Sequence, residues 1–243
     1  MKSSIKPNRI IRATWLLPAL LVAAVLGLGS PAPVLADQAP KVLPRKSVPY
    51  GKTYGEWSAA WWKWVMELPV TGPIPHPSVD DPAFDVTEGQ SGQVWFLASP
   101  FGTVSRTCTV PTGKALFIGL VNGEASDLEG LGATEADRRA YAEWQADHIV
   151  NLSCSIDGVA VVNLSSYRVQ SPEFSFTAPT PWIFGATGGT GLSVADGYYL
   201  MVAPLSAGAH TIHFSGGFHF AVAEGDPFDA DFSLDMTYHL TVQ

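Results

Sequence analysis

The densest set of groups able to do chemistry lies in the acidic loop after the first Trp-rich segment. His76, Asp80, Asp81, Asp85 and Glu88 place carboxylates and one imidazole close together in sequence, and hard oxygen donors of this kind suit Ca²⁺. The DxDxDG spacing of an EF-hand is missing, so a solvated acidic loop is the competing reading. Glu124, Asp127 and Glu129 form a second acidic group after Val121. A hydrolase of an extracellular polymer would have to draw its pair from Asp80, Asp81, Asp85, Glu124 and Asp127, with two carboxyl groups about 5 to 9.5 Å apart across a cleft. His210, His213, His219 and His239 cluster near the C-terminus. Two of them, His213 and His239, are expected on outward faces, but without a carboxylate or thiol at a recognisable spacing they read as surface histidines rather than a metal site.

Nucleophilic and nucleotide chemistry is poorly supported. No G-x-S-x-G elbow occurs, and the Gly-rich run 185–191 (GATGGTG) lacks the Lys-Ser/Thr of a P-loop, so it is expected to be a flexible hairpin or rim loop. The aromatic candidates are richer. Tyr54, Trp57, Trp61, Trp64 and Leu68 recur at steps of three and four, which puts them on one helical face. That face reads as docked on the rest of the domain, yet exported proteins also stack sugars on Trp rings. Trp62, off the stripe, and Trp64 are the candidate binding rings.

These residues must be positioned by a small set of elements. Thr53 to Glu56 is a capping box that opens a helix, and Pro69 stops it. The five prolines between Pro69 and Pro82 exclude regular structure there. Residues 93–98 (QVWFLA) and 115–121 (ALFIGLV) read as strands buried on two faces, with Pro111-Thr112-Gly113 as the turn between them. A second helix is predicted over Thr134 to Ile149, with Arg138 and Arg139 on its outer side. Short strands are expected at 153–156, 159–162, 174–177, 198–203, 210–214 and 218–222. From Phe232 to Val242 apolar and polar residues alternate strictly, giving one buried and one wet face. The fold class implied is mainly β: an antiparallel β-sandwich, jelly-roll or immunoglobulin-like, with an N-terminal Trp-rich helix and one further helix.

The N-terminus supplies an address. Lys2, Lys6, Arg9 and Arg12 precede an apolar run from Trp15 to Gly29, and Val34-Leu35-Ala36 resembles a cleavage site, so residues 1–36 read as a signal peptide, 37–52 as an extended arm and 53–243 as a single domain. Export to the periplasm or beyond is expected. Cleavage removes four of the 14 basic residues and none of the 22 acidic ones, leaving 10 against 22 and a formal charge of −12. Such a chain repels nucleic acid. An oxidising compartment makes a disulfide between the two cysteines, Cys108 and Cys154, the default expectation, with two buried thiols as the alternative.

Five strings stand out together: 57–64 (WSAAWWKW), 93–97 (QVWFL), 106–114 (RTCTVPTGK), 167–172 (YRVQSP) and 208–212 (GAHTI). In these the chain resembles an uncharacterised group of exported bacterial proteins that share a Trp-rich opening helix followed by a β domain. The resemblance spans nearly all of the chain after residue 36 and implies no activity. In that group a further cysteine often precedes the QVWFL-like strand and another follows the equivalent of Asn122; this chain has neither, which weakens the case for the Cys108–Cys154 pair. The expectation is a non-catalytic binding or envelope-associated protein for a glycan or another surface component, with no cofactor beyond a possible Ca²⁺. A carboxylate-dependent hydrolase is the alternative.

Overall fold

The first helix, α1 (Tyr54–Glu67), starts where its capping box requires: the Thr53 hydroxyl accepts from the Glu56 amide at 3.2 Å while the Glu56 carboxylate accepts from the Thr53 amide at 2.7 Å. It ends at Leu68, whose backbone is extended ahead of Pro69. The computed structural model describes residues 40–71, 76–78 and 87–243. The segment 1–36 and the loop residues Asp80, Asp81 and Asp85 lie outside the described residues.

Ten strands follow α1: β1 (Val94–Leu97), β2 (Gly102–Val110), β3 (Ala115–Ser126), β4 (Ile149–Ile156), β5 (Val159–Ala160), β6 (Arg168–Gln170), β7 (Phe174–Ala178), β8 (Gly189–Val202), β9 (Gly208–Phe220) and β10 (Ala230–Val242), with helix α2 (Glu135–Asp147) between β3 and β4. They form two five-stranded sheets. One runs β1-β3-β8, with β6 and β7 end to end along the far side of β8; the other runs β2-β10-β9-β4-β5. Neither is purely antiparallel as expected: β1 pairs with β3 in parallel, and β2 with β10. The chain leaves the first sheet as β2 and returns to it as β3, and such a crossover is what a parallel neighbour needs. Residues 41–43 add a short bridge to the end of β8, through Leu43 N to Met201 O and Ala203 N to Lys41 O.

The first sheet is covered on both faces. On one, α1 lays its indoles across Phe117 and Tyr199, whose rings stack at 5.5 Å. Each indole N–H finds an acceptor: Trp61 donates to Leu97 O at 2.9 Å, Trp62 to the Tyr199 hydroxyl at 3.0 Å and Trp64 to Glu88 O at 2.9 Å. Trp61 lies so close to β3 that a Cβ on Gly119 would fall 2.6 Å from its ring. On the other face Val121 meets the second sheet at Gly216, where a Cβ would stand 2.7 Å from it. This double coverage explains why β3 is apolar nearly throughout.

Several expectations are corrected. β2 was not expected; its alternation Val104, Arg106, Cys108, Val110 is broken in sequence by an arginine that is in fact buried. Gly189 to Gly191 belong to β8 and pair with Ala178 to Phe176, so this part of the Gly-rich run is strand rather than rim loop. The two strands expected around residues 210–222 are one, because β9 passes straight through Gly216 and Gly217 beside β10. Arg138 faces inward to Glu173 and Arg139 bonds Gln170 and Ser171, since the segment 170–173 folds over α2.

The cysteines are both free and buried. Cys108 on β2 and Cys154 on β4 are separated by β10 and β9, three interstrand spacings or roughly 14 Å, about twice what a disulfide spans. Burial pushes both thiols up to about 12. Denatured, unreduced protein is therefore expected to show two reactive thiols, and native protein to react slowly. Gly119→Ala, which forces a methyl into the Trp61 ring, is expected to lower stability by about 1 to 3 kcal/mol in a urea melt.

Candidate functional site

A groove opens where β1 stops and β3 continues. The register of β1 against β3 ends at Leu97 opposite Ile118. It ends there because the next carbonyl, Ala98 O, is held by the second sheet: the Tyr238 hydroxyl and Arg106 Nη1 both donate to it. The chain then turns away through Ser99 and Pro100 to Phe101. Among the described residues no strand covers the edge of β3 from Gly119 to Asn122. The pairing with β8 shifts by one residue between Gly119 and Val121, a bulge of the kind that re-aims side chains at a sheet edge.

The resulting cavity, about 220 Å³, is walled by Trp61, Phe184, Phe101 and Phe218, with Ser78, Ser99 and Asn122 as polar members. Phe101 and Phe184 are 53% and 43% exposed. Both are nevertheless fixed by neighbours: Phe184 stands edge-on to Trp182 at 5.4 Å, and Phe101 lies 5.4 Å from Phe232 and 6.3 Å from Phe218. The Asn122 Oδ1 is buried and has no hydrogen-bond partner. So is Gln145 Oε1, which packs over the neighbouring Gly123. Buried acceptors left open are uncommon and await a donor.

Arg106 ties these walls together. Its side chain is 1% exposed, and Nη1 donates to Pro77 O at 2.8 Å as well as to Ala98 O at 3.3 Å. One guanidinium thus holds the carbonyl beside Ser78 and the one before Ser99.

Most residues singled out in the sequence lie elsewhere. Trp62 and Trp64 are 8% and 7% exposed. They belong to the core and not to a surface platform, because the 182–184 segment covers the side of α1 that the stripe leaves bare, with Phe184 6.2 Å from Trp62. His76 has both nitrogens committed: Nδ1 accepts from the Ser78 amide at 3.2 Å, so Nε2 carries the proton and donates to Val65 O at 2.7 Å. Burial lowers its pKa. It is not free to ligate Ca²⁺, and among the described residues no group of three His, Cys, Asp or Glu side chains is arranged to hold a metal. Three of the four C-terminal histidines meet carboxylates one to one: His210 with Asp157 at 2.7 Å, His213 with Asp235 at 3.0 Å and His219 with Asp231 at 2.7 Å. The Asp231 carboxylate raises the His219 pKa. His239 is exposed.

Two of the acids at the end of β3, Glu124 and Glu129, form a contact pair rather than a cleft pair. Glu124 is buried, accepts from the Ser193 hydroxyl and shares a hydrogen bond with Glu129; burial first, then Glu129, push its pKa well above the ordinary carboxylate range. The Ser126 hydroxyl donates to Glu129 at 2.7 Å, and Asp127 accepts from the Leu192 amide at 2.8 Å. None of the three lines the aromatic groove. The groove itself was not foreseen. The unevenly exposed Phe101 and Phe184, each beside a Pro- or Gly-rich turn, were the signal available in the sequence.

No known family, curated protein or solved structure matches the chain.

Two outcomes follow. Because the folded state holds the Glu124 proton more tightly than the unfolded chain does, its contribution is full below the unfolded pKa and is lost as pH rises through the folded one. Glu124→Gln keeps a neutral hydrogen-bonding group, so urea melts between about pH 5 and pH 8 are expected to decline less steeply for the variant than for the wild type. Arg106→Leu leaves the Pro77 and Ala98 carbonyls short of a charged donor, and is expected to cost about 2 to 4 kcal/mol in the same measurement.

Proposed function

We propose that this is an exported, non-catalytic binding protein whose groove at the free edge of β3 takes one ring of a glycan or of a related cell-surface component. The observation that carries the reading is the groove itself, walled by Trp61, Phe101, Phe184 and Phe218 and lined by the polar Ser78, Ser99 and Asn122. A pyranose presents apolar C–H faces that stack on aromatic rings and hydroxyls that hydrogen-bond to a few polar lining groups. A cavity of about 220 Å³ lies below the roughly 300 to 1,000 Å³ of drug-sized pockets, which suits a single ring better than a whole oligomer.

The export signal over residues 1–36 and the resemblance to exported Trp-helix proteins support a periplasmic or extracellular setting. The two mixed sheets, meeting through Val121 and Gly216, support a β-sandwich of jelly-roll or immunoglobulin kind as the scaffold. A carboxylate-dependent hydrolase draws less support. Of its candidate acids, Asp80, Asp81 and Asp85 lie outside the described residues, Glu124 is buried against Glu129, Asp127 accepts from the Leu192 amide, and neither Glu124 nor Asp127 lines the groove.

Binding is tested on a glycan array, followed by titration of any hit against Phe101→Ala, Phe184→Ala and Asn122→Leu. Each variant is expected to weaken binding by about 10-fold, equivalent to one lost stacking or hydrogen-bond contact, with an unchanged melting midpoint for the two exposed phenylalanines. Binding unaffected by all three substitutions would place the site elsewhere.

A further inference from the structure

We propose a second site, independent of the aromatic groove, in which the turn carrying Arg45 and Lys46 and the segment Ser165 to Tyr167 bind a phosphoryl group. The starting observation is the distribution of positive charge. Among the described residues seven of the ten lysines and arginines are engaged: Lys63 with Glu67, Arg138 with Glu173, Arg139 with Glu135, Arg168 with Asp147 and Asp196, Lys114 with Gly92 O, Arg106 with Pro77 O, and Lys52 over the Trp57 ring. The cations without a partner there are Lys41, Arg45 and Lys46, all in one short stretch. In a chain of net charge −8, three uncompensated cations within six residues form a local reversal of sign.

Arg45 and Lys46 line a cavity of about 450 Å³ together with Ser165, Ser166, Tyr167 and Arg168, and no acidic side chain lines it. Both walls are fixed. Pro44 to Ser47 is a turn closed by Ser47 N to Pro44 O at 2.9 Å, and the residue before it, Leu43, is bonded through its amide to Met201 O and through its carbonyl to the Tyr54 hydroxyl. On the opposite wall Ser166 N bonds Asn163 O at 2.9 Å in a short 3-10 turn, and the Tyr167 ring rests 6.0 Å from Tyr54. The Ser166 hydroxyl is spent on Asn163 O, which leaves the Ser165 and Tyr167 hydroxyls as donors. The Arg168 charge is already balanced by Asp147 and Asp196. Two free cations and two hydroxyl donors match a phosphoryl group, which carries close to two negative charges on three acceptor oxygens. A single carboxylate would leave one cation unsatisfied.

The group could belong to a soluble phosphate ester or to a lipid headgroup, and the test separates them. The full chain is titrated with inorganic phosphate at low salt, beside Arg45→Ala/Lys46→Ala and Tyr167→Phe, with melting curves as the folding control. Saturable binding is expected, weakened about 10-fold or more in the double variant and about threefold in Tyr167→Phe. Vesicles of phosphatidylcholine with phosphatidic acid are then sedimented with the same proteins. Co-sedimentation of the wild type but not the double variant assigns the phosphoryl group to a lipid, and phosphate binding without co-sedimentation assigns it to a soluble ester. Absence of saturable phosphate binding, equal binding by wild type and double variant, or equal displacement by acetate at matched ionic strength would each overturn the site. Phe101→Ala is expected to leave phosphate binding untouched, so failure of the glycan reading and failure of this one are read separately.

Discussion

The buried guanidinium of Arg106 is the constraint on which the architecture of the groove depends. It projects from β2 into the space between the sheets, where a charge survives only if its donors are met. The acceptors it recruits are backbone carbonyls, Pro77 O from the proline-rich loop and Ala98 O from the end of β1. Capturing Ala98 O, together with the Tyr238 hydroxyl, stops β1 after four residues and leaves the next stretch of β3 without a neighbour. A polar group that must be satisfied thereby decides where a sheet ends and where a groove begins.

The same economy governs the indoles. Four aromatic residues of α1 are buried and Trp57 partly so, and each indole N–H is matched to a carbonyl or hydroxyl of another segment: Trp57 to Pro49, Trp61 to β1, Trp62 to β8, Trp64 to Glu88. Hydrophobic burial sets the helix on the sheet, and these bonds fix its rotation and depth. That fixes the Trp61 ring against Gly119 and makes it a rigid wall rather than a mobile lid. The exposed rings opposite, Phe101 and Phe184, are held by other aromatics in turn, so the groove has its shape before any ligand arrives. Preformed walls of this kind reduce the ordering cost of binding.

Charge is sorted with equal clarity. Carboxylates dominate the chain, yet burial and the neighbouring Glu129 hold Glu124 toward its neutral form, and the acids near β9 and β10 lie against histidines. The basic residues are drawn into pairs except in the arm, where Arg45 and Lys46 face hydroxyls. Two regions of contrasting chemistry result: an aromatic groove and a cationic hollow.

Elements whose signal is local were legible in the sequence. The Thr53–Glu56 capping box, the helix start at Thr134, the helical aromatic stripe, the Pro69 stop and the alternation of β10 all rest on contacts within a few residues, and local geometry is fixed by local chemistry. What depended on partners distant in the chain was not. Trp62 is off the stripe and still buried because residues 182–184 fold onto it; β2 was hidden by an arginine whose acceptors lie in other segments; and two cysteines 46 positions apart are set on non-neighbouring strands by the sheet order. The sequence by itself determined a β-rich chain with two capped helices and its acidity. Only the tertiary structure decided which aromatics line the groove, which acids touch and which cations stay free, because burial and pairing belong to the assembled surface and not to any single segment.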